Sequence, residues 1–133
     1  MTNLQKFLDG RVPEVPELSG DWIVRGLFGP LPLRFFGHLK QFRELEPGCF
    51  EGNNRFLGRL RTGWYYASAG ASQLDPELRV ININYDHPRN VRIMRPLTDE
   101  VRFVSDDVML GRGVYAPAGW KPRNIFWFSV SRS

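Results

Sequence analysis

The chain has 133 residues, the length of one domain, and its 42% hydrophobic and 24% charged content is ordinary globular usage that excludes a disordered composition. A single cysteine, Cys49, excludes an intramolecular disulfide and a multi-cysteine metal cluster. Lys and Arg together number 18 against 14 acids, a formal excess of +4, and 15 of the cations are arginine.

The opening residues place Leu4, Phe7 and Leu8 on one apolar stripe, so a short helix is expected over 3–8, stopped by Gly10. Lys6 and Asp9 interrupt any secretory leader, and no apolar run approaches the roughly 18 residues of a membrane-crossing helix. A cytoplasmic protein without membrane insertion is therefore expected. Pro13 and Pro16 forbid helix and impose an extended lead-in over 11–19.

From Gly20 onward the period changes to two. Strands are expected around 35–40, 63–67, 79–85, 91–95, 101–104, 108–115 and 125–130, with turn signals at 46–48, 75–77, 86–90 and 105–107. Eight or nine closely spaced strands joined by short loops predict an antiparallel, up-and-down, closed β-barrel over 20–132. Glycines within strands, Gly111 and Gly113 among them, are expected to mark barrel corners. The segment from Ile125 to Val130 is apolar on both faces and needs an outer cover, for which the 3–8 helix is the first candidate and a second subunit the alternative. The chain is thus read as one domain, 1–133, all-β with one short N-terminal helix.

Gly20-Asp21-Trp22 opens the first strong strand, ahead of the meander. A Gly-x-Trp in that position resembles the calycin superfamily of lipocalin-like barrels. The resemblance implies that Trp22 plugs the closed end of the barrel beneath an arginine from the last strands. Arg112, Arg123 and Arg132 are candidates, with Arg132 favoured at the end of the final strand. Nothing corresponds to the helix pair of fatty-acid-binding proteins, since residues 29–33 leave no room for one. Their C-terminal Arg-x-Tyr is missing as well.

A lumen lined from ten Phe, four Trp and four Tyr suits a small hydrophobic or amphipathic ligand, oriented by a few polar groups. The candidates are Tyr66, either Asn82 and Asn84 or Tyr85 on the opposite face, and an arginine such as Arg92 or Arg102 turned inward. Asp99 or Glu100 would pair such an arginine internally. No nucleophile elbow, phosphate loop or zinc spacing appears, so no catalytic residue, metal or cofactor is assigned. His38 is the one histidine placed on a strand, and His87 is expected in an exposed turn.

Two rivals stand beside ligand binding. A small-barrel isomerase or cyclase would use Tyr65, Tyr66 or Tyr85 with Glu100. Single-stranded nucleic-acid binding would use Arg55, Arg59 and Arg61 with Trp64 and Tyr66. The dispersal of the cations along the chain, with no block of four, argues against the second. The excess charge then reads as solubility plus, at most, one or two lumenal arginines. A monomer or a homodimer is equally compatible with the sequence.

Overall fold

The computed structural model describes residues 2–12, 20–28, 38–46, 49–56 and 60–132. One helix, α1 (Asn3–Leu8), precedes eight strands: β1 (Gly20–Phe28), β2 (His38–Glu46), β3 (Cys49–Phe56), β4 (Leu60–Ala71), β5 (Arg79–Asn84), β6 (Leu97–Ser105), β7 (Val108–Tyr115) and β8 (Arg123–Arg132). Each strand pairs antiparallel with the next, and β1 pairs with β8, so the sheet closes in chain order. Closure removes the edges that an open meander would expose. The expected barrel is present, with eight strands. Residues 13–19 of the lead-in lie outside the described residues, while Arg11 makes an isolated bridge to Phe103.

Alternation sorts the wall into two faces. Trp22, Phe42, Phe50, Tyr65, Ile81, Ile83, Tyr85, Val101, Phe103, Met109 and Phe128 meet inside. Phe7, Val80 and Leu110 form a second cluster outside, with Trp127 packed against it.

The strand expected over 91–95 is not formed. Residues 85–96 make a loop of successive turns, with the Met94 N–H donating to the Val91 carbonyl and the Leu97 N–H to the Met94 carbonyl. Pro88 and Pro96 bracket the stretch and remove two ladder donors, which overrides its β-branched composition.

Helix α1 covers the outer face of β6 and β7 and reaches β8 through Trp127. Thr2 caps it reciprocally with Gln5, satisfying donors at its first turn. Phe7 is fully buried, 5.6 Å from Trp127 in an edge-on pair. Arg102 donates Nη1 to the carbonyls of Phe7 and Leu8, both at 3.1 Å, so it ties the helix end to the wall and does not enter the lumen. Beneath the helix, Arg112 donates Nε to Glu100 Oε1 at 2.9 Å and Nη2 to Ser72 Oγ at 3.0 Å. Its guanidinium also lies 4.6 Å over the Phe7 ring.

Gly111 and Gly113 serve close approach. A Cβ on Gly111 would stand 2.2 Å from the Phe128 ring, and one on Gly113 2.3 Å from that of Phe126. The rings lie against β7 because these positions carry no side chain. Gly111→Ala is expected to lower stability by about 1–3 kcal/mol, since the added methyl would overlap the buried Phe128 ring and force it off its place against β7. Urea unfolding of the two proteins checks this.

Candidate functional site in the barrel lumen

The two ends of the barrel differ. At the end where β1 begins, Trp22 is fully buried and register-paired with Arg132, whose guanidinium carbon lies 3.9 Å over the ring. Phe103 packs beside Trp22 at 6.0 Å. Of the other two candidate arginines, Arg112 sits outside with Glu100, and Arg123 opens β8 at the opposite end.

Above that floor, Lys40, Asn54, Tyr85 and Asp99 form a polar cluster within the apolar lumen. Lys40 on β2 is register-paired with Trp22 on one side and Asn54 on the other, so alternation turns it inward. Its Nζ donates to Asn54 Oδ1 at 2.8 Å and to the Tyr85 hydroxyl, and lies 3.4 Å from Asp99 Oδ2. Tyr85 donates its hydroxyl proton to Asp99 Oδ2 at 3.1 Å and accepts from Asn54 Nδ2 at 3.2 Å. The ammonium also faces the rings of Tyr65, Tyr85 and Phe128 at 4.9, 5.2 and 6.0 Å. Lys40 is 1% exposed and Asp99 3%, so water does not screen this pair.

Burial pushes both members toward neutrality. Desolvation lowers the Lys40 amine, opposed by the Asp99 charge and its hydrogen bond. Desolvation raises the Asp99 carboxyl, opposed by Lys40 and Tyr85. The Tyr65 and Tyr85 hydroxyls are pushed well up by burial and then by Asp99, and stay protonated donors. Among the described residues Asp99 Oδ1 is buried without a hydrogen-bond partner, as are Asn53 Oδ1, Asn82 Oδ1 and Arg102 Nε elsewhere in the wall. The cluster therefore holds an amine, a phenol and a carboxyl within proton-transfer reach, with one carboxyl oxygen unengaged.

The residues singled out in the sequence fall in several places. Tyr85 is in the lumen, with Ile81 and Ile83, while Asn82 and Asn84 point outward. Tyr66 is on the outer face, and Arg92 is exposed in the 85–96 loop. Glu100 faces outward to Arg112, so Asp99 is the carboxylate beside tyrosine. His87 is buried against expectation: it stacks on Tyr66 at 4.8 Å and Trp64 at 6.0 Å, and its ring nitrogen lies 3.4 Å from Glu51. Two aromatic faces give the turn histidine a dry niche that its sequence neighbours did not advertise. Of the cationic patch, Arg55 and Arg61 are register partners and Arg59 lies outside the described residues. Trp64 already carries Arg89 over its ring at 4.3 Å. His38 opens β2, and Cys49 is the first residue of β3.

Sequence reasoning missed Lys40 and Asn54. The signal was available: Lys40 alternates with Phe42 on one face, as Asp99 does with Leu97, Val101 and Phe103. Fifteen arginines against three lysines make an arginine the more conspicuous inward cation in the sequence.

The closed eight-stranded antiparallel barrel is compatible with a calycin-like fold. Compared with described protein families, curated proteins and solved structures, the chain matches none.

Lys40→Met removes one member of the pair and is expected to destabilise the protein by about 3–5 kcal/mol at neutral pH, because it leaves the carboxyl buried alone. In that variant Asp99 loses the influence that lowers it, and desolvation holds its folded-state pKa above its unfolded value. The folded state then keeps a proton the unfolded state has lost. Stability is therefore fully present below the ordinary carboxylate range and falls as pH rises through the window up to the raised value. Urea unfolding from acid to neutral pH, with the parent protein in parallel, reads the slope.

Proposed function

We propose that the protein binds a small hydrophobic or amphipathic molecule in the barrel lumen, in the manner of the calycin superfamily. The observation that carries this reading is Asp99 Oδ1, a buried carboxyl oxygen left without a partner among apolar rings. Such an atom costs about 1–3 kcal/mol unless something bonds to it. The Lys40 charge is already met by Asp99, Tyr85 and Asn54, so an anionic head would face a compensated cation and a nearby carboxylate. A neutral hydroxyl fits better, because it donates to an ionised Asp99 and accepts from a protonated one. The apolar body of the ligand would lie among the rings of Tyr65, Phe42 and Phe128.

Native mass spectrometry of the freshly purified full chain is expected to show a co-purifying small molecule. Titration with dodecanol and dodecanoic acid, followed by tryptophan fluorescence, is expected to favour the alcohol by about tenfold or more, the worth of one hydrogen bond to a charged group. The Lys40→Met/Asp99→Leu double variant, which removes both buried charges together, should lose that preference. Absence of any co-purifying molecule together with no response to either probe would overturn the reading.

A second reading rests on the 3.1 Å hydrogen bond between Tyr85 and Asp99. Tyrosine and carboxyl within hydrogen-bond reach of an amine form an acid–base set, which supports a small-barrel isomerase or cyclase acting on the same ligand. Deuterium uptake from heavy water into the co-purified molecule, present with the parent protein and lost with Tyr85→Phe, separates catalysis from simple binding.

A further inference from the structure

At the end of the barrel opposite Trp22, two of the described connections are tied together. Leu97 and Tyr115 are register partners on β6 and β7, so the loops at 85–96 and 116–122 leave the barrel side by side. The Tyr115 hydroxyl donates to the Ile93 carbonyl at 2.7 Å, and the Ala116 N–H donates to the Pro96 carbonyl at 3.1 Å. From these tethered loops three large apolar side chains project into solvent: Val91 at 65%, Ile93 at 76% and Trp120 at 67% exposure. Single exposed hydrophobes are commonplace, but three on adjoining tips need a reason. Beside Trp120 lies an apolar cleft of about 300 Å³, lined by Tyr115, Pro117, Ile125 and the stems of Lys121 and Arg123.

The charge of the chain gathers at this same end. Arg89, Arg92 and Arg95 on the first loop, with Lys121 and Arg123 on and beside the second, stand against one carboxylate, Asp86. The two loops together with Arg123 at the start of β8 carry +4, equal to the excess of the whole chain, so the remaining residues are neutral in sum. Arg95 is engaged by the carbonyls of Asn90 and Pro88 and holds its loop in shape. Arg92, Lys121 and Arg123 are exposed.

We propose that this end of the barrel docks peripherally on an anionic lipid surface, with Trp120, Ile93 and Val91 seated at headgroup level and Arg92, Lys121 and Arg123 against the lipid phosphates. Tryptophan with flanking arginine and lysine is the composition that membrane interfaces retain, an amphipathic ring at the boundary and cations in the phosphate layer. Aliphatic tips such as Val91 and Ile93 offer nothing for bases to stack on, which separates this surface from a nucleic-acid platform. No helix among the described residues is long and apolar enough to cross a membrane. The inference does not depend on what the lumen binds.

Flotation of the full chain with vesicles of phosphatidylglycerol and phosphatidylcholine, and with phosphatidylcholine alone, tests it. The protein is expected to float with the anionic vesicles only, and to be released as salt rises. Each exposed cation removed should weaken binding about fivefold, and Arg92→Glu with Lys121→Glu should abolish it. Trp120→Ala should weaken it about tenfold while leaving the salt dependence in place. These side chains make none of the floor or lumen contacts described above, so an unchanged circular dichroism spectrum verifies that each variant is folded. No flotation at low salt, or flotation indifferent to the charge reversals and to Trp120→Ala, overturns the proposal. Sedimentation velocity supplies the remaining overturning result: a stable dimer that Trp120→Ala dissociates would make the patch a self-association face.

Discussion

The buried Lys40–Asp99 pair is the interaction on which the interior depends. It joins β2 to β6 across the lumen, between strands that are not neighbours in the sheet. Hydrogen bonds around the wall hold each strand to its neighbours, and this pair holds the wall across its bore. A charge pair taken out of water gains only when its remaining lone pairs and protons are met, and Asn54 and Tyr85 meet most of them. The rings of Tyr65, Tyr85 and Phe128 supply the rest of the shell, each facing the amine with its negative π-surface. Among the described residues one oxygen of the pair, Asp99 Oδ1, is left without a partner. The candidate site and the core are therefore the same object, and stability and the proposed ligand chemistry meet at Asp99.

Two successive residues of β6 illustrate how the wall serves both sides. Asp99 turns inward to Lys40, and Glu100 turns outward to Arg112. Each carboxylate pairs with a cation on its own face, so a single peptide unit anchors the lumenal network and the outer one. The outer network bears the helix: Glu100 fixes Arg112, Arg112 supports the Phe7 ring, and Arg102 bonds the helix carbonyls. A strand such as β8, apolar on both faces, can then exist without exposing Trp127, since Phe7 closes over it.

Much of this was legible in the sequence, and the exceptions have physical causes. Clean alternation identified β5 and β7, the Leu4/Phe7/Leu8 stripe identified α1, and close turn spacing identified a closed meander. Residues 91–95 carried strand composition but sat between two prolines, and local β-propensity yields to missing backbone donors. His87 looked exposed because its stacking partners, Trp64 and Tyr66, come from a distant strand. The lumenal lysine was hidden by its chemistry. One lysine among many arginines does not look like the inward cation, although its slender stem lets an amine reach the lumen with less bulk than a guanidinium.

Charge distribution is the feature that linear reading handles worst. Along the chain the cations are dispersed, and dispersal suggested a uniformly solvated surface. Antiparallel connection undoes that impression, because alternate loops return to the same end of a barrel. Loops at 85–96 and 116–122 are well separated in sequence yet tethered in space through Tyr115 and Ile93. Their cations add, while acids elsewhere cancel the remainder. At the opposite end Arg132 lies over the buried Trp22 ring. The two ends of the barrel thus differ, one holding this stacked pair and the other presenting basic, apolar-tipped loops, and the difference follows from strand order once the side chains are assigned. A molecule approaching an anionic surface would be oriented rim-first by that field before any apolar contact formed.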